Sequence, residues 1–336
     1  MKVKNIIGLA VAALSCVQFA VAQQPAKKAT KLTAALQMTG WNKGKPGMME
    51  LERGDEEGNF YYLQEGTEQL MQVRASACSM FVIQTPADMA SALTDFYGGD
   101  LEDARKKFAA VKKKYAAFVG LPGAPSTTAA LHELTCAVRL LDVAGVKELA
   151  ASIPGEKELI GSDAARVAAA RVVALIDDTP ASYKPISEAV VAAIKKHGAN
   201  MDTESYGWMR YALGRAAAAV MTASKDKAKA ANAAVDFYCQ AVMSMHGAHK
   251  NLPADAIVRA MTLLWDMPGV QDYAAKAAKP MDKKTWGKAP ADFRDAVALA
   301  HYYKVLYAAS GAAANPLVDQ LDAYYFNALE GVKKAQ

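Results

Sequence analysis

The residue types best suited to chemistry are few and loosely spaced. There are five histidines, His132, His197, His246, His249 and His301, and three cysteines beyond residue 22, Cys78, Cys136 and Cys239. His132 and Cys136 stand four apart, so a helix would place them on one face as two potential metal ligands. No third ligand stands near them in sequence. Cys239, His246 and His249 are spaced by seven and three and also fall near one helical face, which makes them the weak metal candidates of the chain. His246 and His249 flank Gly247, and a favourable interaction with the helix dipole explains them as simply. The zinc-protease pattern HExxH is absent, as are a nucleophile elbow, a Walker loop and a GxGxxG turn. Asp55-Glu56-Glu57-Gly58 lacks the alternating acids of a calcium loop and reads as a solvated hairpin turn. Asp177-Asp178, before Thr179-Pro180, reads as a loop. The expectation is therefore no assigned catalytic residue, no metal and no cofactor.

Two surfaces remain as binding candidates. Tyr302, Tyr303 and Tyr307 fall in one helical stretch and Tyr324, Tyr325 and Phe326 in the last. Packing between those helices accounts for most of these rings, but consecutive tyrosines cannot all face inward. One of Tyr302 and Tyr303, and one of Tyr324 and Tyr325, is thus expected at the surface, where an aromatic groove could take glycan or peptide. The second candidate is the basic stretch 105–114, with Arg105, Lys112 and Lys113. It reads as a solvated helix face or as a contact to an anionic envelope surface.

The elements that must position these residues change character along the chain. Residues 23–35 are polar, basic and aperiodic, and read as a flexible tether. Residues 36–84 carry short strand signals at 48–53, 59–64, 70–75 and 80–84, separated by turn residues, and predict a small antiparallel β subdomain. Within 70–75, Met71, Val73 and Ala75 share one face. From Thr85-Pro86 onward the pattern is helical, with Thr85 as a cap and Pro86 at the first helical position. Asp100 caps a helix over 101–119. Ser126 caps the next, and further helices are expected at about 144–152, 162–177, 185–197, 203–222, 226–246, 254–266, 270–278, 290–309 and 316–333. Gly207, Gly214 and Ala218 offer close helix approach. The fold class is mainly α: an array of helical hairpins, α-solenoid or bundle, over 85–336, preceded by the β subdomain.

The start of the chain sets the compartment. Lys2 and Lys4, the apolar run from Ile6 and the closing Ala20-Val21-Ala22 read as a secretory signal peptide over 1–22, cleaved after Ala22. Lipidation of Cys16 is disfavoured because the preceding Leu14 sits one place too late. The product is periplasmic or secreted, and no integral membrane protein after cleavage. Cleavage takes away Lys2 and Lys4 and so lowers the formal charge from +5 to +3. That is too mild for a nucleic-acid partner. Three remaining cysteines allow one internal bridge at most, and they read as small apolar residues.

Gly99-Asp100-Leu101-Glu102-Asp103-Ala104 with Phe108, Ala233 with Phe237 and Ala241, and Tyr211-Ala212-Leu213-Gly214 resemble fragments of tetratricopeptide repeats, without a regular 34-residue period. The resemblance implies a scaffold that binds peptides or proteins. The strand spacing over 36–84 resembles small SH3-like or Sm-like barrels of bacterial envelope proteins. The expected function is a non-catalytic exported scaffold with a protein or peptide partner. The alternatives are a glycan-acting enzyme on a helical fold and an assembly factor at a membrane surface.

Overall fold

Alternating side chains and tight turns build six strands at the front of the chain, in a computed structural model that describes residues 30–38, 47–245, 249–307 and 314–325. The strands are β1 (Leu32–Met38), β2 (Gly47–Leu51), β3 (Arg53–Gly54), β4 (Asn59–Leu63), β5 (Leu70–Arg74) and β6 (Cys78–Ile83). They form two antiparallel three-stranded sheets, ordered β2-β1-β6 and β3-β4-β5. Only Glu52 separates β2 from β3, so one stretch of chain pairs first with β1 and then with β4. A 3-10 turn, Ala75–Ala77, carries the chain from β5 to β6, and so from one sheet to the other. On β5 the expected alternation is present, with Met71 and Val73 turned inward.

Strand β1 corrects the expected tether. Residues 32–35 are not flexible linker: Leu32 and Ala34 are buried, and β1 is the central strand of its sheet. Leu-Thr-Ala-Ala carries little strand propensity, and the strand forms because both of its neighbours pair with it and its apolar residues reach the core. Of the expected tether, 23–29 lies outside the described residues, as do residues 1–22, read as a signal peptide.

The rest is helical: α1 (Ala87–Gly98), α2 (Leu101–Lys114), α3 (Pro125–Arg139), α4 (Val143–Ala151), α5 (Gly161–Val173), α6 (Tyr183–His197), α7 (Thr203–Ala223), α8 (Lys227–Ser244), α9 (Asn251–Trp265), α10 (Val270–Ala274), α11 (Lys283–Lys288), α12 (Ala291–Leu306) and α13 (Pro316–Asp322). Helices that follow one another pack as hairpins from α1 to α9, and α5 also meets α7 while α9 meets α12. The chain is thus mainly α, with a small antiparallel β subdomain in front. Among the described residues no helix is long and apolar enough to cross a membrane.

Caps explain most starts. The side chains of Asp100, Asp142, Asp202, Asp226 and Asp282 each accept a backbone N–H three residues on, filling donors that a helix start leaves open. Two expected caps fall elsewhere. Pro86 is the capping residue of α1 rather than its first helical residue. Ala124 precedes α3, and Ser126 is buried at the second helical position with its Oγ unpartnered. Pro125 takes the first helical position, where its missing N–H costs nothing.

The core does not divide at 84/85. Strand residues Leu36, Leu51 and Phe60 share one cluster with Phe96 of α1, Phe108 of α2, and Phe118. Helix α3 is the divider: Ala129 and Cys136 face this smaller core, whereas Leu131, Leu134 and Val138 face a larger one running to α13. The turn after β3 is fixed by its own hydrogen bonds and packs against Gly120. Asp55 accepts hydrogen bonds from the backbone of Glu57 and Asn59, from the Asn59 amide and from the Tyr61 hydroxyl. Desolvation pushes its carboxyl up, but these donors outweigh it and bring the pKa down to about 2. The turn read as merely solvated is therefore tied down. Gly120 abuts it at φ +91°, and a Cβ there would run into the Asp55 carbonyl and come within 2.8 Å of the Glu56 Cα.

Candidate binding groove

Helices α8, α9 and α12 meet around an open apolar groove of about 280 Å³. Its floor comes from α9, where Ala256 and Ala260 stand one turn apart with Ile257 between them. Alanine at these positions leaves the space that a longer side chain would fill. One wall is α8, with Tyr238, Cys239, Val242 and Met243; the other is α12, with Leu299 and Tyr302. Met243 is 79% exposed, Val305, one turn past Tyr302, is 61% exposed, and Tyr302 is 37% exposed. The size falls just below the roughly 300–1,000 Å³ of sites for drug-sized ligands. It suits one or two aliphatic side chains.

The wall on α8 is held by a close seam. Gly207 and Gly214 of α7 face α8; a Cβ at Gly214 would lie 2.7 Å from the Tyr238 ring, and one at Gly207 would meet the Met245 side chain. These are the close approaches expected of the two glycines. They seat Tyr238, fully buried, against Tyr211 with ring centroids 6.0 Å apart. The thiol on the groove is that of Cys239. Burial, then Asp236 and Asp295, push its pKa up, so it stays a neutral thiol and a poor nucleophile.

The tyrosine pairs split between inside and outside. Tyr302 lines the groove, and Tyr303 is buried. Tyr324 is buried and donates its hydroxyl to the Ala274 carbonyl at 2.9 Å. Tyr325 is half-buried and stacks on His301 with centroids 3.7 Å apart. His301 Nδ1 lies 2.8 Å from Asp322 Oδ1, and Asp322 also accepts from Lys304.

The basic stretch is largely neutralised within the fold. Arg105 pairs with Asp142 at 2.7 Å and Lys112 with Glu133 at 2.6 Å, while Lys113 is exposed. Lys106, Lys107 and Lys114 pair with Asp103, Asp95 and Asp88.

The metal candidates are not brought together. Cys239 faces the groove, His249 packs beside Glu204 at 3.9 Å, and His246 lies outside the described residues. His132 stacks on Phe108 and meets Phe96 edge-on, and Cys136 is buried, its thiol pushed up to about 12 by burial. Among the described residues no three His, Cys, Asp or Glu side chains could jointly hold a metal ion. Cys78, Cys136 and Cys239 are all free thiols.

Sequence reasoning missed a polar seam where α3 meets α7. Arg139 and Glu204 form a two-pronged pair at 2.8 and 2.9 Å, and Arg166 reaches Asp202 at 2.8 Å. Burial, then Arg139, brings the His249 pKa down to about 3. Burial, then Arg166 and Arg139, brings His132 down to about 4. Both histidines are neutral at neutral pH, and no spacing rule links residues 65 positions apart.

The comparisons with known proteins add no relative to this geometry: no family model, no curated protein and no solved structure matches the chain.

Proposed function

We propose that the chain is an exported, non-catalytic scaffold that binds a protein or peptide partner through its helical array, at the groove between α8, α9 and α12. The observation that carries this is an open apolar groove lined by Met243 and Tyr302, with Met243 and, one turn past Tyr302, Val305 both largely exposed. Covering one such side chain is worth about 1.5–3 kcal/mol, which makes a bound segment with a matching apolar residue the natural occupant. The pattern of residues 1–22 supports export to the periplasm or medium. The strand order, with one stretch of chain shared by two sheets and a 3-10 turn before the last strand, supports an SH3-like reading of the front. The hairpin array supports a helical-repeat scaffold, in keeping with the fragments that resemble tetratricopeptide repeats.

One observation favours a second reading, a glycan-acting enzyme: His301 and Asp322 are at hydrogen-bond distance, the arrangement of an acid–base pair. Affinity capture from envelope extract separates the two. A partner retained by the unaltered chain and lost by Met243→Asp with Val305→Asp supports the scaffold. Identical captured sets from both, or no partner together with glycan turnover that His301→Ala abolishes, contradicts it.

A further inference from the structure

The groove has two unlike ends, and the difference selects among occupants. At one end stand Met243 and Tyr302, with Val305 one turn further along α12. At the other end, one turn before Cys239 on α8, is Asp236, and one turn before Leu299 on α12 is Asp295. Both are exposed, and neither forms an ion pair among the described residues. Each stands one turn before a residue that lines a wall of the groove, Cys239 on α8 and Leu299 on α12, and both act on the Cys239 thiol. Asp292 adds a third carboxylate close enough to act on Asp295, and Arg294 is the cation that acts on it. The nearest lysine of α8, Lys229, stands seven residues before Asp236, roughly 10 Å along the helix, at about one Debye length in physiological salt. The acidic end therefore carries net negative charge. An anionic lipid surface or an acidic segment would be repelled there.

On the reading that the groove is the binding site, we propose that it receives a basic amphipathic segment of a partner protein, one that sets an aliphatic side chain on the alanine floor of α9 and a lysine or arginine against Asp236 and Asp295. The apolar side chain supplies most of the affinity, and the charge pairing sets direction and choice of partner.

The test uses the full chain and two synthetic helical peptides with the same leucine stripe, one flanked by lysines and one by glutamates. The lysine peptide is expected to bind about tenfold more tightly at low salt, the effect of one or two partly screened charge pairs, and the margin should shrink as salt rises. Asp236→Lys combined with Asp295→Lys, both at exposed positions, should reverse the preference, while Met243→Ala should weaken both peptides alike. Equal binding of the two peptides, with Met243→Ala still weakening both, overturns the charge inference and leaves the groove in place. Failure of both peptides to bind overturns the groove reading as well. Binding to phosphatidylglycerol vesicles that Met243→Ala abolishes overturns the inference in favour of a membrane.

Discussion

The seam between α7 and α8 and the groove between α8, α9 and α12 both rest on small residues, yet one is closed and the other open. On α7, Gly207 and Gly214 face Met245 and Tyr238, so each missing side chain is matched by a large one. On α9, Ala256 and Ala260 line the groove with Cys239 and Leu299, and the space over them stays open. Small residues bring helices together only when the partner supplies volume; small against small leaves a hollow. Helix α8 belongs to both arrangements and carries Tyr238 on the boundary.

Breaking the closed seam should have the largest effect. Tyr238→Ala removes a fully buried ring and should cost about 3–5 kcal/mol of stability, read as a lowered denaturation midpoint. It should also merge the cavity with the groove. A loss below about 1 kcal/mol would show that the seam collapses and that Tyr238 is no wall.

Acid should weaken the polar seam next. His249 and His132 titrate near 3 and 4 in the fold and near 6.5 when exposed. The unfolded chain therefore binds protons that the folded chain refuses. Stability present above pH 6.5 should fall as pH drops toward 4, by on the order of a few kcal/mol. The charged groups facing His249 are Arg139 and Glu204, and those acting on His132 are Arg166 and Arg139. Denaturation series at pH 7.5 and 5 should show the drop, and His132→Phe should reduce it by about half, leaving the part due to His249. Equal stability at both pH values would contradict neutral buried histidines.

Gly214→Ala sets two terms against each other. Alanine gains about 1 kcal/mol of helix propensity, but its Cβ would press on the Tyr238 ring at 2.7 Å, and overpacking costs typically about 1–3 kcal/mol. A net loss of about 1 kcal/mol is expected, and a gain in stability would mean the ring shifts freely.

The smallest effect belongs to the open side. Cys239→Leu adds bulk where space already exists and should change stability by less than about 1 kcal/mol, while weakening any peptide held in the groove. A large destabilisation would show that the hollow is packed in solution.

Much of this fold is set by local pattern. Asp100 before an amphipathic run, Gly98-Gly99 after another and Pro125 at a helix start fix boundaries by chemistry that needs no tertiary partner. Strand β1 does not, because Leu-Thr-Ala-Ala becomes a strand only between β2 and β6. Helix α11 is also hidden, since Lys-Lys-Thr-Trp-Gly-Lys has no apolar stripe and rests on the Asp282 cap. The core division along α3 is equally nonlocal. For the site, sequence reasoning reached Tyr302 and Cys239 separately, one as a member of a tyrosine pair of which one ring must face the surface and the other as a metal candidate. Their meeting on one groove depends on α12 packing against α9, which no spacing encodes. The one hint in the sequence was Ala256 and Ala260 one turn apart on a helix otherwise rich in larger apolar residues.

The most direct measurement tracks methionine methyl signals while the leucine–lysine peptide is added to the full chain. Met243 lies on the groove, whereas Met209 is buried in α7 and Met89 in the smaller core. The account predicts that the Met243 signal moves to saturation and that those of Met209 and Met89 stay in place. A Met243 signal unmoved while the peptide binds would place the binding surface elsewhere and contradict the account.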